Sequence, residues 1–159
     1  MVEPTDFGTS PDDVQFRFRD DERVDHAAVT VDSALEQTNA NAVRIEPSDD
    51  ARLLIPFLDR IALVEINFPA FTDGRGYSAA RILREAGYEG ELRAVGDVLI
   101  DQLSHMRRCG FDSFAPDKVL DEEDAKRAFA TWENVYQVAA DTSLTGRRTI
   151  AQKRHGAGA

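Results

Sequence analysis

The run Ile61-Ala62-Leu63-Val64-Glu65-Ile66-Asn67 constrains this chain most. It is apolar nearly throughout, the pattern of a strand with both faces covered, and such strands belong to parallel sheets packed against helices. Glu65 is the exception inside it. A charge in that position must pair or face a wet cavity, because desolvating it alone is too costly.

The next segments of the chain repeat the theme. After a loop holding Phe68, Pro69 and Phe71, apolar residues recur at Ala79, Ile82, Leu83 and Ala86, one face of a short helix that Gly87 is placed to end. Leu92 to Val95 forms the next strand. Asp97 then caps a second helix with inner face Leu99, Leu103 and Met106, closed by Gly110, and Asp112 to Ala115 is a third strand. Asp121, Glu122, Glu123 and Asp124 open a longer helix, with Ala125, Ala128, Phe129, Trp132, Val135, Tyr136 and Ala139 at helical spacing.

Upstream, Val14, Phe16 and Phe18 alternate with polar residues as a half-buried edge strand does. Asp32 starts a short helix through Leu35, Ala42 to Ile45 is a second short strand, and Ser48-Asp49-Asp50 starts a helix whose length Pro56 limits. The expectation is an α/β fold whose mainly parallel sheet is built from β-α-β-α-β-α units. The sheet is open or half-barrel-like, and a half-barrel would bury its edge as a homodimer. At 159 residues there is room for one domain. We place it at residues 14–144, between an acidic tail at 1–13 and a basic tail at 145–159 that lack periodicity.

The net charge of -10 disfavours nonspecific binding to nucleic acid or anionic lipid. No apolar run has the length of a membrane span and no signal-peptide layout opens the chain, so a cytoplasmic protein is expected. The single Cys109 agrees with a reducing compartment and has no partner for a Cys-based metal site; His105 lacks ligands at metal spacing. A reactive Cys109 thiol, favoured by Arg107 and Arg108, stands against simple packing. Phosphate loops, nucleophile elbows and zinc-protease motifs are missing.

Ligands of parallel sheets gather outside the carboxyl ends of the strands. That rule selects the Phe68 to Gly76 loop, the Gly96-Asp97 turn and the segment after Phe114. In the first, Gly74-Arg75-Gly76-Tyr77-Ser78-Ala79 has the form G-x-G-x-x-A between strand and helix, with Asp97 downstream where a ribose acid would stand. An NAD(P) site at Gly74 and Gly76 is one reading, although the glycines come later after the strand than that fingerprint requires. A second keeps the helix start and drops the nucleotide. Arg75, Ser78 and the free amides hold a small oxyanion, with Asp73 and Asp97 beside them and Arg93 as a second clamp arm. The third has Asp73 and Arg75 simply tie the loop to its neighbours, and Glu65 pair with Arg93 on the neighbouring strand.

Asp73-Gly74-Arg75, Tyr77-Ser78, Leu83-Arg84, Gly90-Glu91-Leu92-Arg93-Ala94, Gly96-Asp97, Asp101-Gln102 and Arg108-Cys109-Gly110-Phe111 together resemble a bacterial family, the domain of unknown function family 934. The resemblance implies a place in cytoplasmic sulfate assimilation toward cysteine, with the sulfite reductase haemoprotein as partner and a label of oxidoreductase in sulfite reduction. It implies no catalytic residues. The functional expectation is therefore an accessory protein of assimilatory sulfite reduction that binds the reductase or a small oxyanion. An NAD(P)-dependent oxidoreductase and a structural subunit without catalysis stand as alternatives.

Overall fold

A computed structural model describes residues 14–24 and 27–131. At its centre is β4, Leu63–Phe68, in register with β3, Ala42–Ile45, on one side and β5, Glu91–Gly96, on the other, both parallel to it. β6, Ser113–Pro116, continues the parallel set beyond β5, and β2, Val29–Thr30, lies outside β3. β1, Phe16–Arg17, pairs antiparallel with β6 and forms the opposite edge. The sheet order is thus 1-6-5-4-3-2: a mixed α/β arrangement, mostly parallel, with chain neighbours adjacent from β2 to β6.

Helices α1, Val31–Glu36, α2, Arg75–Glu85, α3, Leu103–Cys109, and α4, described from Glu122 to Thr131, lie between or after the strands. Their buried residues Ala34, Leu83, Met106 and Phe129 share one core with Val43, Val64, Ile66, Leu92, Ala94 and Phe114. All the described helices therefore cover one face of the sheet. Alternation along the strands sends the intervening side chains to the other face, where Ala42 and Leu63 pack with Ala28.

Local rules explain most boundaries. Gly110 closes α3 in the left-handed region at φ 113°, and Gly87 lies just past α2 at φ 96°. The Arg84 guanidinium donates to the carbonyls of Tyr88, Gly90 and Gly110 and to the Asp112 carboxylate, tying the end of α2 to the starts of β5 and β6. Asp121 caps α4 through the Asp124 amide at 2.9 Å, as its position suggested. The continuation of that helix through Ala139 and both tails lie outside the described residues.

Four expectations change. β2 carried no pattern, because two residues show no periodicity. α1 is capped by Thr30, whose hydroxyl accepts from the Ser33 amide at 3.2 Å, and Asp32 sits inside the first turn. Pro56 does not end its helix: Ala51–Arg60 runs through it as a 3₁₀ helix, capped by Asp50. Pro56 is exposed and costs that helix one hydrogen bond, while Ala51 and Leu54 anchor it in the core. Asp97 caps no helix; the segment before α3 begins as a short 3₁₀ turn at Ile100–Gln102, where the Gln102 side chain accepts from the Leu99 amide.

Candidate functional site at the carboxyl end of the sheet

Because β3 to β6 are parallel, the loops after them emerge at one end. The loop after β4 is stitched to the turn after β5. Gly96 makes the approach possible: at φ 95° it adopts a backbone that L side chains avoid, and a Cβ there would lie 2.4 Å from the Phe68 carbonyl oxygen. The Asp97 amide donates to that same carbonyl at 2.7 Å, and the Asp97 carboxylate accepts from the Phe71 amide at 2.9 Å. The Gln102 side chain donates to the Phe71 carbonyl at 2.8 Å. Asp97 and Gln102 thus hold both backbone groups of Phe71.

Next along the loop, Asp73 accepts from the Arg75 backbone amide and, bidentately, from its guanidinium at 3.0 and 2.7 Å. The Arg75 side chain is 65% exposed, and this hydrogen bonding draws the Asp73 carboxyl below its ordinary value. Gly74 is the N-cap of α2 with no side-chain cap, and a Cβ on it would meet nothing within 4 Å. Gly76 is different: a Cβ there would lie 2.6 Å from the Phe68 ring and 2.9 Å from the Ile66 side chain, so this glycine lets α2 settle onto β4. Ser78 is exposed on the first turn of α2.

Arg93 is not part of this group. It lies on the face of the sheet opposite the described helices, in a row running Arg44, Glu65, Arg93, Ser113 and Arg17 across five strands in register. Its guanidinium donates to Glu91 at 2.7 Å, to Glu65 at 3.4 Å and to the Ser113 hydroxyl at 3.3 Å. Glu91 also accepts from Arg17 at 2.7 Å and Ser113 at 2.8 Å. Toward the carboxyl end Glu46 receives Arg44 and Asn67. The sheet therefore separates Arg93 from Arg75, and the two-armed clamp is not assembled. Arg93 is instead the hub of a buried ion-pair network.

Within that network one atom is left over. Glu65 Oε2 is buried and makes no hydrogen bond among the described residues, with Arg44 standing 3.9 Å from it. Desolvation pushes the Glu65 carboxyl above its ordinary value despite Arg93 and Arg44. Glu91 is likewise desolvated, but Arg93, Arg17 and Ser113 hold it below its ordinary value. The network was legible only in part, through Glu65 and Arg93. Arg17, Arg44, Glu91 and Ser113 each look like an ordinary polar residue of a strand until the register aligns them.

A second group lies between α2 and α3. The Tyr77 and His105 rings are 4.9 Å apart, and His105 Nε2 stands 3.8 Å from the buried Cys109 sulfur. Burial, then Arg108 and Arg81, lower the His105 imidazole below its ordinary value. Among the described residues no group of three or more His, Cys, Asp or Glu side chains is arranged to hold a metal ion, and no helix is long and apolar enough to cross a membrane.

The fold and this end define a small α/β protein with a mostly parallel sheet, helices over one face and an ion-pair row on the other. The chain belongs to the family described as "Bacterial protein of unknown function (DUF934)", whose model matches residues 42–145. No curated protein and no solved structure matches it.

Proposed function

We propose that the chain is an accessory protein of assimilatory sulfite reduction, working by binding the sulfite reductase haemoprotein rather than by turning over a substrate itself. The observation that carries the binding reading is the pairing of the charges at the expected site. Arg75 is held by Asp73, Arg93 by Glu91 and Glu65, and Asp97 by the Phe71 amide. An oxyanion at the head of α2 would have to compete with Asp73 for Arg75. The pathway rests on the family resemblance of the Asp73 to Phe111 motifs, and the half-barrel form we read into the sheet rests on its sequential strand order with all the described helices on one face.

Calorimetric titration of the purified chain into the reductase haemoprotein tests this reading. A saturable complex of micromolar affinity or tighter is expected, together with a changed sulfite-reduction rate. Oxidation of NADPH by the chain alone in the presence of sulfite would replace the reading with the enzymatic one. A large thermal shift with sulfite, lost in Arg75→Ala, would restore the oxyanion site.

A further inference from the structure

Phe71 is 48% exposed, yet its backbone is held at both polar groups. Its amide is held by Asp97 and its carbonyl by Gln102, two side chains from the segment after β5. A loop whose backbone is tied down before binding loses little freedom on association, and an exposed aromatic side chain carried on such a loop has the physical profile of an interface anchor.

The surroundings give the partner's chemistry. Asp73, Asp97 and Asp101 flank Phe71, with Asp49 and Asp50 on the loop after β3 and Asp117, Asp121 and Glu122 after β6. Against these stand Arg75, neutralised by Asp73, and the nearby Arg52 and Lys118. Val119, 89% exposed, adds a second apolar group on the β6 loop. Only β5 separates the strands feeding these loops, so the two leave the sheet about 10 Å apart. Two exposed apolar groups in an acidic rim complement a surface of the opposite pattern.

We propose that Phe71, supported by Val119, anchors a docking surface on the carboxyl end of the sheet for a protein partner offering an apolar recess ringed by lysine or arginine. Asp97 and Gln102 act as positioning residues for that anchor, and the acidic rim speeds encounter and makes it sensitive to salt. The proposal deepens the binding reading above by naming its surface.

The test has two arms, each with wild type, Phe71→Ala and Val119→Ser. One arm measures affinity for the sulfite reductase haemoprotein. The other measures affinity for a synthetic two-helix peptide whose leucine-lined groove is flanked by lysines. Phe71→Ala is expected to weaken binding at least tenfold in both arms with unchanged circular dichroism, Val119→Ser to weaken it less, and raising salt from low to physiological strength to weaken wild type. Reductase binding retained within twofold in Phe71→Ala overturns the anchor and leaves the accessory role standing. No reductase binding by wild type, with the peptide still lost in Phe71→Ala, overturns the accessory role and leaves the anchor. Peptide binding that is absent or insensitive to Phe71 overturns the anchor as well.

Discussion

Glu65 and Arg93 face each other in register on β4 and β5, joined by a single long contact of 3.4 Å, while the second oxygen of Glu65 hydrogen bonds to nothing among the described residues. The tighter partner of Arg93 is Glu91, two residues away on the same strand at 2.7 Å. The two carboxylates thus respond oppositely to pH.

For Glu65 the folded protein favours the protonated form, so its value is raised above the unfolded one. Its contribution is fully present below the unfolded value near pH ~4.3 and is lost as pH rises through the folded value. Glu65→Gln should therefore change stability little below about pH 4 and reduce that loss at higher pH. For Glu91 the sign reverses: its contribution is present above the unfolded value and lost as pH falls through the lowered one. Glu91→Gln should cost about 3 to 5 kcal/mol at neutral pH, because it strips a buried Arg93 of its main partner. Urea unfolding at stepped pH separates the two.

The glycines of the carboxyl end should rank by what a methyl group would meet. Gly96→Ala combines a positive φ with a 2.4 Å approach to a carbonyl and should be the worst, with an unfolding midpoint far below wild type. Gly76→Ala overpacks against Phe68 and should cost about 1 to 3 kcal/mol. Gly74→Ala meets open space at φ -85° and should lie within about 1 kcal/mol of wild type. Chemical denaturation of the three variants checks the order.

Asp112 is the buried meeting point of Arg84 at 2.6 Å, Arg19 at 3.1 Å and Arg107 at 3.6 Å, and it also accepts from the Leu92 amide. Asp112→Asn keeps the shape and removes the charge. A loss of about 3 to 5 kcal/mol is expected, as for other buried pairs broken on one side. A loss below about 1 kcal/mol in thermal or denaturant melts would show that the three guanidiniums find solvent instead.

Asp97→Ala should free the Phe71 amide. Hydrogen exchange at Phe71 is expected to accelerate by at least about tenfold while exchange in β4 and β5 stays unchanged. Asp97→Asn, which retains an acceptor oxygen, should restore most of the protection.

His105 should titrate below its ordinary value, since burial, Arg108 and Arg81 all disfavour the imidazolium. A folded value below the unfolded one means that its share of stability is present at neutral pH and is lost as pH falls through that window. An NMR titration of its ring protons reads the value directly, and a midpoint above 6.5 would contradict the burial seen in the structure.

Much of the fold was readable because the strands carry their own pattern: the Ile61 to Asn67 run, Leu92 to Val95 and Asp112 to Ala115 lie within two residues of β4, β5 and β6. β2 was not readable, since Val29 and Thr30 form a strand only through pairing with β3. At the site, the Glu65 to Arg93 pairing was open to reasoning by neighbour and charge, whereas Asp73 and Arg75, expected to tie the loop to its neighbours, bind each other. The role of Asp97 was not. Asp97 has the sequence position of a helix cap, and only the close approach of Phe68 to Gly96 turns its carboxylate toward Phe71 instead.

β1 joins the sheet through two residues, pairing Phe16 with Phe114 across about a hundred residues of intervening chain. From β3 to β6 every strand pairs with its predecessor, so that part can assemble by short loop closures, whereas docking β1 must close the longest loop for a pairing of only two residues. The N-terminal strand should be the last piece to arrive in folding and the first to leave. When it leaves, the ring cluster of Phe16, Phe18, Phe114 and Phe129 comes apart, and the bare edge of β6 becomes the molecule's most adhesive line.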